Sequence, residues 1–500
     1  MDEKLGKFIE DFGTLTRLAQ SGLDHAEGGE QLLQALTGHL AVPAHELSVV
    51  TEEVPPHRLV DVDIVMEGLA GRDPDYRLVG VGGGDQRHHM SFSDMLQQSR
   101  NYPRFPLAQP DYSNVATGPD QQRQAVAHGL WLFNYAGSPV AVLQRGAKMD
   151  RGRQFASLEV LATHPDVASE LLAEVRREME HHSVFKGQII ALAVSDYGPS
   201  ISGVTFIRRP ELTSGDVVLP DGLLDKVEGH TLGIARQADI LAAHGQHLKR
   251  GLLLYGPPGT GKTHTVRYLL SRSEGTTAVL LSGGSLARIS EAAKIARALA
   301  PSIVVLEDCD LIAEDRSFGH GPKPLLFEVL DAMDGLDNDA DVAFVLTTNR
   351  VDLLERALAQ RPGRVDLAVE IPLPSKHERV ELLRLYSNGL PFSPSSIETA
   401  AARTAGTTAS FAKELIRRAV VAAALAGEAP GDAHLGFAVE QLMADGEALT
   451  RSLLGSNGGP SGPGEFPGPP AGPFPGPGGR GGSPGPGGMS ARFASYEARE

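Results

Sequence analysis

GLLLYGPPGTGKT, residues 251–263, decides how this chain is read. The apolar run at 252–255 predicts a buried strand, and the HTVRYLL that follows predicts a helix. Between them lies Gly256-Pro257-Pro258-Gly259-Thr260-Gly261-Lys262-Thr263, a phosphate-binding loop in its required setting of strand, glycine turn and helix. Gly256, Gly259 and Gly261 let the backbone curl so that its N–H groups point inward at phosphate oxygens. Lys262 is expected to supply a point charge to the outer phosphates and Thr263 a hydroxyl to Mg²⁺. His264, opening the helix, completes the expected nucleotide-contacting set.

Downstream, SIVVLED at 302–308 is a β-branched run ending in two acids, the pattern of a central parallel strand that delivers carboxylates to its C-terminal edge. Asp308 follows Lys262 by 46 residues, a comfortable crossover distance. Glu307 is expected in the Mg²⁺ shell, and Asp308 is expected to polarise an attacking water. A third strand, VAFVL at 342–346, runs into TTNR, which places Asn349 where an amide can orient that water. Arg361 and Arg364 in RPGRVD lie beyond the strand tip, poorly placed for their own phosphate and well placed for a neighbour's. That predicts an oligomeric ring.

These four stretches together, GPPGTGKT, VVLEDCD, TTNRVDLLE and RPGRVDLAVEIPLP, resemble the Walker A, Walker B, sensor 1 and arginine-finger region of the AAA family of ATPases, followed by its helical lid. The resemblance covers roughly residues 211–453. It implies ATP and Mg²⁺ as cofactors, ATP hydrolysis, a homo-hexameric ring and mechanical remodelling of a macromolecule. Three features depart from the family pattern. The strand ends Glu307-Asp308 rather than Asp-Glu, an order that also resembles AAA proteins of the mitochondrial Rieske-protein translocase kind. The shorter acid retreats by roughly 1.3 Å, and a misplacement of about 1 Å can cost on the order of 10²-fold in rate. The segment between the two Walker motifs, LLSGGSLARISEAAKIARALAPS, has no aromatic residue of the kind that grips a threaded chain. The approach to the fingers, Ala357-Leu358-Ala359-Gln360-Arg361, is one residue longer than usual. GTTASFAKEL only loosely resembles the family's second sensor segment. No His-Glu-x-x-His occurs, so no fused zinc protease is expected, and the final Ala498-Arg499-Glu500 lacks the ending with which ring ATPases dock on proteasomes.

Outside the core, residues 1–40 open with Leu5, Phe8, Ile9, Phe12 and Leu15 at helical spacing, one apolar stripe for its own domain or for a partner. Residues 41–207 are expected to be an α+β domain that binds a client. In it HRLVDVDIVMEGLA is compatible with strand or helix, 80–90 reads as a loop, and 137–207 reads strand, strand, helix, strand, strand. The pairs His88/His89 and His181/His182 read as solvated histidines rather than metal ligands, because adjacent side chains diverge. Residues 208–375 are assigned to the large α/β subdomain, 376–453 to the helical lid, and 454–500 to a tail. That tail has 15 Gly and 10 Pro in the 34 residues from 455 to 488 and so has almost nothing to bury. Phe493 and Tyr496 near its end are either a short docking peptide or without a role.

A net charge of -16 argues against general nucleic-acid binding. The single cysteine, Cys309, excludes an internal disulfide framework and reads as a small packed residue. No apolar run is long enough for a membrane span, and the charged N-terminus lacks a signal-peptide core, so a cytoplasmic protein is expected. The leading expectation is therefore a P-loop α/β ATPase that forms a ring and remodels or chaperones an unidentified protein client. The competing one is an ATP-dependent assembly switch or scaffold with slow turnover.

Overall fold

The computed structural model describes residues 30–101, 105–148, 152–192, 203–310, 340–351 and 365–444, with positions 14, 451, 454 and 455. The apolar stripe at 5–15 and the Pro/Gly-rich stretch beyond 457 lie outside these residues.

Two seven-stranded sheets organise the described chain. The first is antiparallel, in the order β1 (Val49–Val54), β7 (Ala156–Ala162), β6 (Ser138–Arg145), β5 (Gln121–Tyr135), β2 (Arg77–Val81), β3 (Leu107–Ala108), with β4 (Asp111–Gly118) also on β5. Period-two alternation sorts its side chains. Trp131 and Phe133 point with Val140 and Val142 to the face covered by α2 (Leu59–Ala70) and α4 (Pro165–His181). Leu130 and Leu132 point to the opposite face, under α1 (Leu32–Leu40) and α3 (Phe92–Asn101). β5 and β6 are joined by Ala136-Gly137, both at positive φ, the two-residue turn whose twist matches a hairpin.

In this region one open reading is decided and two change. Residues 59–70 are helix, with Val62, Val65, Met66 and Leu69 buried. Within 80–90, Gln86–His89 forms a short helix and His88 is buried, not solvated, because the helix turns its ring under the sheet toward His128. The strands expected at the end of the N-terminal domain do form, as β8 (Ile189–Leu192) and β9 (Val204–Ile207), but they belong to the second sheet. Ala278 pairs with Ile189 in parallel, so the sheets divide in the loop before residue 189 rather than at 207.

The second sheet runs β14 (Leu367–Glu370), β10 (Arg250–Tyr255), β13 (Val342–Thr348), β12 (Ser302–Glu307), β11 (Thr277–Ser282), β8, β9, parallel except for β9. β13 is buried throughout, as a strand covered on both faces must be. α6 (Ile289–Ala298) covers one face and α5 (Lys262–Ser271) the other. Arg250 sets the register at the entry to β10. Its buried guanidinium donates to Asp341 Oδ1 at 2.6 Å, Leu248 O at 2.7 Å and Thr231 O at 2.8 Å.

Beyond β14 the described residues form four helices, α7 (Lys376–Tyr386), α8 (Pro394–Arg403), α9 (Ala409–Ala426) and α10 (Asp432–Met443), around a core of Leu383, Phe411, Leu415 and Leu435. Of these, α8 carries a Ser393 N-cap and Pro394 in its first turn, a start signal legible in the sequence.

Candidate nucleotide site

The glycine loop leaves β10 at the C-terminal edge of the parallel sheet, where a crevice for ligands is expected. Gly256 has φ 144, and a Cβ there would lie 2.2 Å from Ile371 O, so no other residue fits. At Gly261 (φ 111) nothing lies within 4 Å of such a Cβ, so the inner lip of the loop is open. Thr260 Oγ1 donates to Pro257 O at 2.9 Å and fixes the curl from within.

Lys262, first residue of α5, folds its ammonium back onto the loop, donating to Gly256 O at 2.8 Å and Pro257 O at 2.9 Å. Burial pushes its pKa down to about 8, only partly offset by Asp308 and Asp310. A buried cation held by two carbonyls fits a phosphate anion directly above it. The Thr263 hydroxyl lies beside the Glu307 carboxylate at the end of β12. Burial holds Glu307 above the usual carboxylate range, and the Thr263 hydroxyl opposes that rise. A hydroxyl beside a carboxylate is a hard-oxygen pair suited to Mg²⁺. His264 lines the cavity beside the loop and donates from Nε2 to Asp216 O at 2.8 Å, tying α5 to the segment before β10.

Asp308 is exposed in a left-handed turn at φ 54 and Cys309 beneath it is buried, its thiol pushed up to about 12 by that burial. Asp310 was not singled out by the sequence reading. Its Oδ1 accepts from Thr348 Oγ1 at 3.1 Å and from Asn349 N at 3.2 Å. The loop bearing Asn349 is thus anchored to the acid strand, and the Glu-Asp-Cys-Asp spacing was the available signal. Arg361 and Arg364 lie outside the described residues.

The far wall was also missed. A cavity of about 180 Å³ runs from Gly259 and Thr260 past Val218 to Tyr386 on α7 and Ser410 and Lys413 on α9. Ser410 N donates to Gly259 O at 3.1 Å, and Thr408 Oγ1 donates to Leu454 O at 2.7 Å. Gly455 reaches the loop as well, since a Cβ on it would lie 2.1 Å from Pro258 O. The lid and the first residues after it therefore close directly on the loop. These are long-range contacts between segments with no shared pattern, so periodicity alone does not reveal them.

A glycine loop at the edge of a parallel sheet, with a buried lysine, a hydroxyl–carboxylate pair and a helical lid, defines a P-loop nucleotide-binding module. Residues 252–373 match the family model described as ATPase family associated with various cellular activities (AAA), and the chain carries an AAA domain. It is 31% identical over 267 residues to an ATP-dependent zinc metalloprotease FtsH 3 of Sphaerobacter thermophilus, covering 50% of this chain and 53% of that one. It is 32% identical over 212 residues to a proteasome-activating nucleotidase of Methanoculleus marisnigri, covering 40% and 51%. A proteasome-activating nucleotidase of Thermococcus onnurineus is 30% identical over 245 residues, 46% and 61%. The chain spans about half the length of these curated relatives. Among the described residues no helix is long and apolar enough to cross a membrane.

Proposed function

We propose that this protein is a ring-forming AAA ATPase that binds ATP with Mg²⁺, hydrolyses it, and uses the cycle to remodel an unidentified protein client held by the N-terminal region. The observation that carries the reading is the meeting of Lys262, Thr263 and Glu307 at the edge of the parallel sheet. Mg²⁺, when bound, would supply charge neutralisation to the nucleotide phosphates. Lys262, released from its two carbonyls, pairs with the phosphate charge, while the loop N–H groups and Gly261 follow the phosphate chain. Thr263 and Glu307 would hold Mg²⁺. Asp308 takes up the proton of the attacking water, and Asn349 orients that water from the loop that Asp310 fixes. Arg361 and Arg364 act on the neighbouring subunit's phosphate, as hexameric assembly would allow. Val218, Tyr386 and Lys413 line the space for the base and ribose, so lid position and nucleotide occupancy are coupled.

The test is phosphate release by the full chain, alone and with candidate clients captured on Asp308→Asn. Turnover that rises on adding a captured client supports remodelling. Nucleotide-dependent assembly with no client response supports the assembly-switch reading instead, and absence of ATP binding rejects both.

A further inference from the structure

Far in sequence from the glycine loop, His88 on the short helix Gln86–His89 and His128 on β5 are 7% and 1% exposed, with ring centroids 5.3 Å apart. Cations converge on them. The His88 carbonyl accepts from Arg145 Nη2 at 3.0 Å and from Arg153 Nη1 at 3.1 Å, so two guanidinium groups meet at one oxygen. Lys148 Nζ lies 3.2 Å from His88 Nε2. An ammonium only donates, so Nε2 accepts and the ring proton of His88 sits on Nδ1. Arg87 closes the other side, its Nη2 on both oxygens of Asp111 at 2.8 and 3.1 Å. Glu159 accepts from Arg145 Nη1 at 2.8 Å and from Phe92 N at 2.6 Å.

Two shortfalls have the same remedy. The first is charge: Arg87, Arg145, Lys148 and Arg153 face only Asp111 and Glu159 among the described residues, an excess of two positive charges. Burial and then the neighbouring guanidiniums of Arg145 and Arg87 drive His128 down to about 3, and burial followed by Arg145 brings Arg153 down to about 10. The second is acceptors. Arg87 Nε, Arg145 Nε, Arg153 Nη2, His88 Nδ1 and both ring nitrogens of His128 are buried with no partner among the described residues. The first four are donors outright. A group that only accepts and carries about two negative charges meets both needs, which describes a phosphate at neutral pH. A carboxylate brings one charge and two oxygens, too little for either.

We propose that this cluster binds a dianionic phosphate group, entered past the half-buried Lys148 and Arg153. It is independent of the ATPase reading, since none of its residues belongs to the second sheet or the lid.

The test uses the full chain saturated with Mg²⁺ and ADP, so that the glycine loop is filled, and titrates inorganic phosphate against chloride at matched ionic strength. Calorimetry and thermal unfolding give the readout. Phosphate is expected to bind and to raise the unfolding temperature, and Lys148→Gln and Arg153→Gln are each expected to weaken it by about tenfold. A wild-type far-ultraviolet circular dichroism spectrum and a single cooperative melt without phosphate in both variants establish that they are folded. No response beyond chloride overturns the proposal, as does a phosphate response equally strong in Arg153→Gln. An equal response to acetate overturns the phosphate assignment.

Discussion

Thr347 at the end of β13 holds Asp308 at the end of β12: its hydroxyl accepts from the Asp308 N–H at 3.0 Å, and its carbonyl accepts from Cys309 N at 2.9 Å. That clamp keeps Asp308 at φ 54, where Asn and Asp are tolerated and longer side chains pay about 1–2 kcal/mol. The short acid thus has a backbone reason.

Asp308→Asn should keep this turn, bind ATP as wild type does and lose turnover by about 10²-fold or more. Nucleotide retention by filter binding and phosphate release by steady-state assay read the two halves separately. Wild-type hydrolysis in this variant would remove Asp308 from the mechanism.

Exchanging the acids, Glu307→Asp with Asp308→Glu, should lower stability by about 1 kcal/mol and slow turnover, because glutamate is forced into the left-handed turn. Thr347→Val should shift the exchanged protein less than it shifts wild type. An exchanged enzyme that turns over faster would mean the native order restrains the site, as a switch requires.

Lys262 ties ATP affinity to pH. Its free-state pKa of about 8 must rise when phosphates pair with it, so binding takes up a proton. Affinity is therefore full below about 8 and should weaken as pH rises through that value, by up to tenfold per unit. Lys262→Ala should bind little ATP at any pH. A flat affinity from neutral to mildly alkaline pH in wild type would contradict the buried-lysine geometry.

Mixed rings test the fingers. Arg364→Ala and Lys262→Ala subunits, each inactive alone, should regain activity together, because a Lys262→Ala subunit still offers its arginines to a neighbour. No rescue in verified mixed assemblies would rule out action between subunits.

Acid should unfold this protein through its buried imidazoles. His57, packed edge-on against Phe185, is lowered from 6.5 to about 4 by burial, and His128 to about 3. The unfolded chain binds those protons first, so stability is whole above about 6.5 and is lost as pH falls toward the folded values. His57→Phe should retain more stability over that interval in thermal melts. Identical pH curves for the two proteins would contradict the burial of His57.

The glycine loop, both acids and Asn349 were legible because each ends a short apolar strand, a purely local pattern. The ownership of β8 and β9 was not: IIAL and VTFI look the same whichever sheet they join, and Ala278 on β11 decides the matter from far along the chain. The lid wall at Ser410 and Lys413 and the burial of His88 escaped for the same reason. Asp310 was within reach, two residues past an acid already chosen.

Where the chain crosses from one sheet to the other, Asp61 on α2 receives Ser183 Oγ at 2.8 Å and Val184 N at 2.9 Å, and Arg58 Nε at 2.8 Å holds the same carboxylate. Val60 and Ile64, one turn apart on that helix, sit in the same cluster as Leu286 and Ile289 beside α6. The joint between the two halves is thus seized rather than hinged. A displacement of α6 would travel into the N-terminal sheet without slack, so the two sheets form one stiff lever instead of two bodies on a tether.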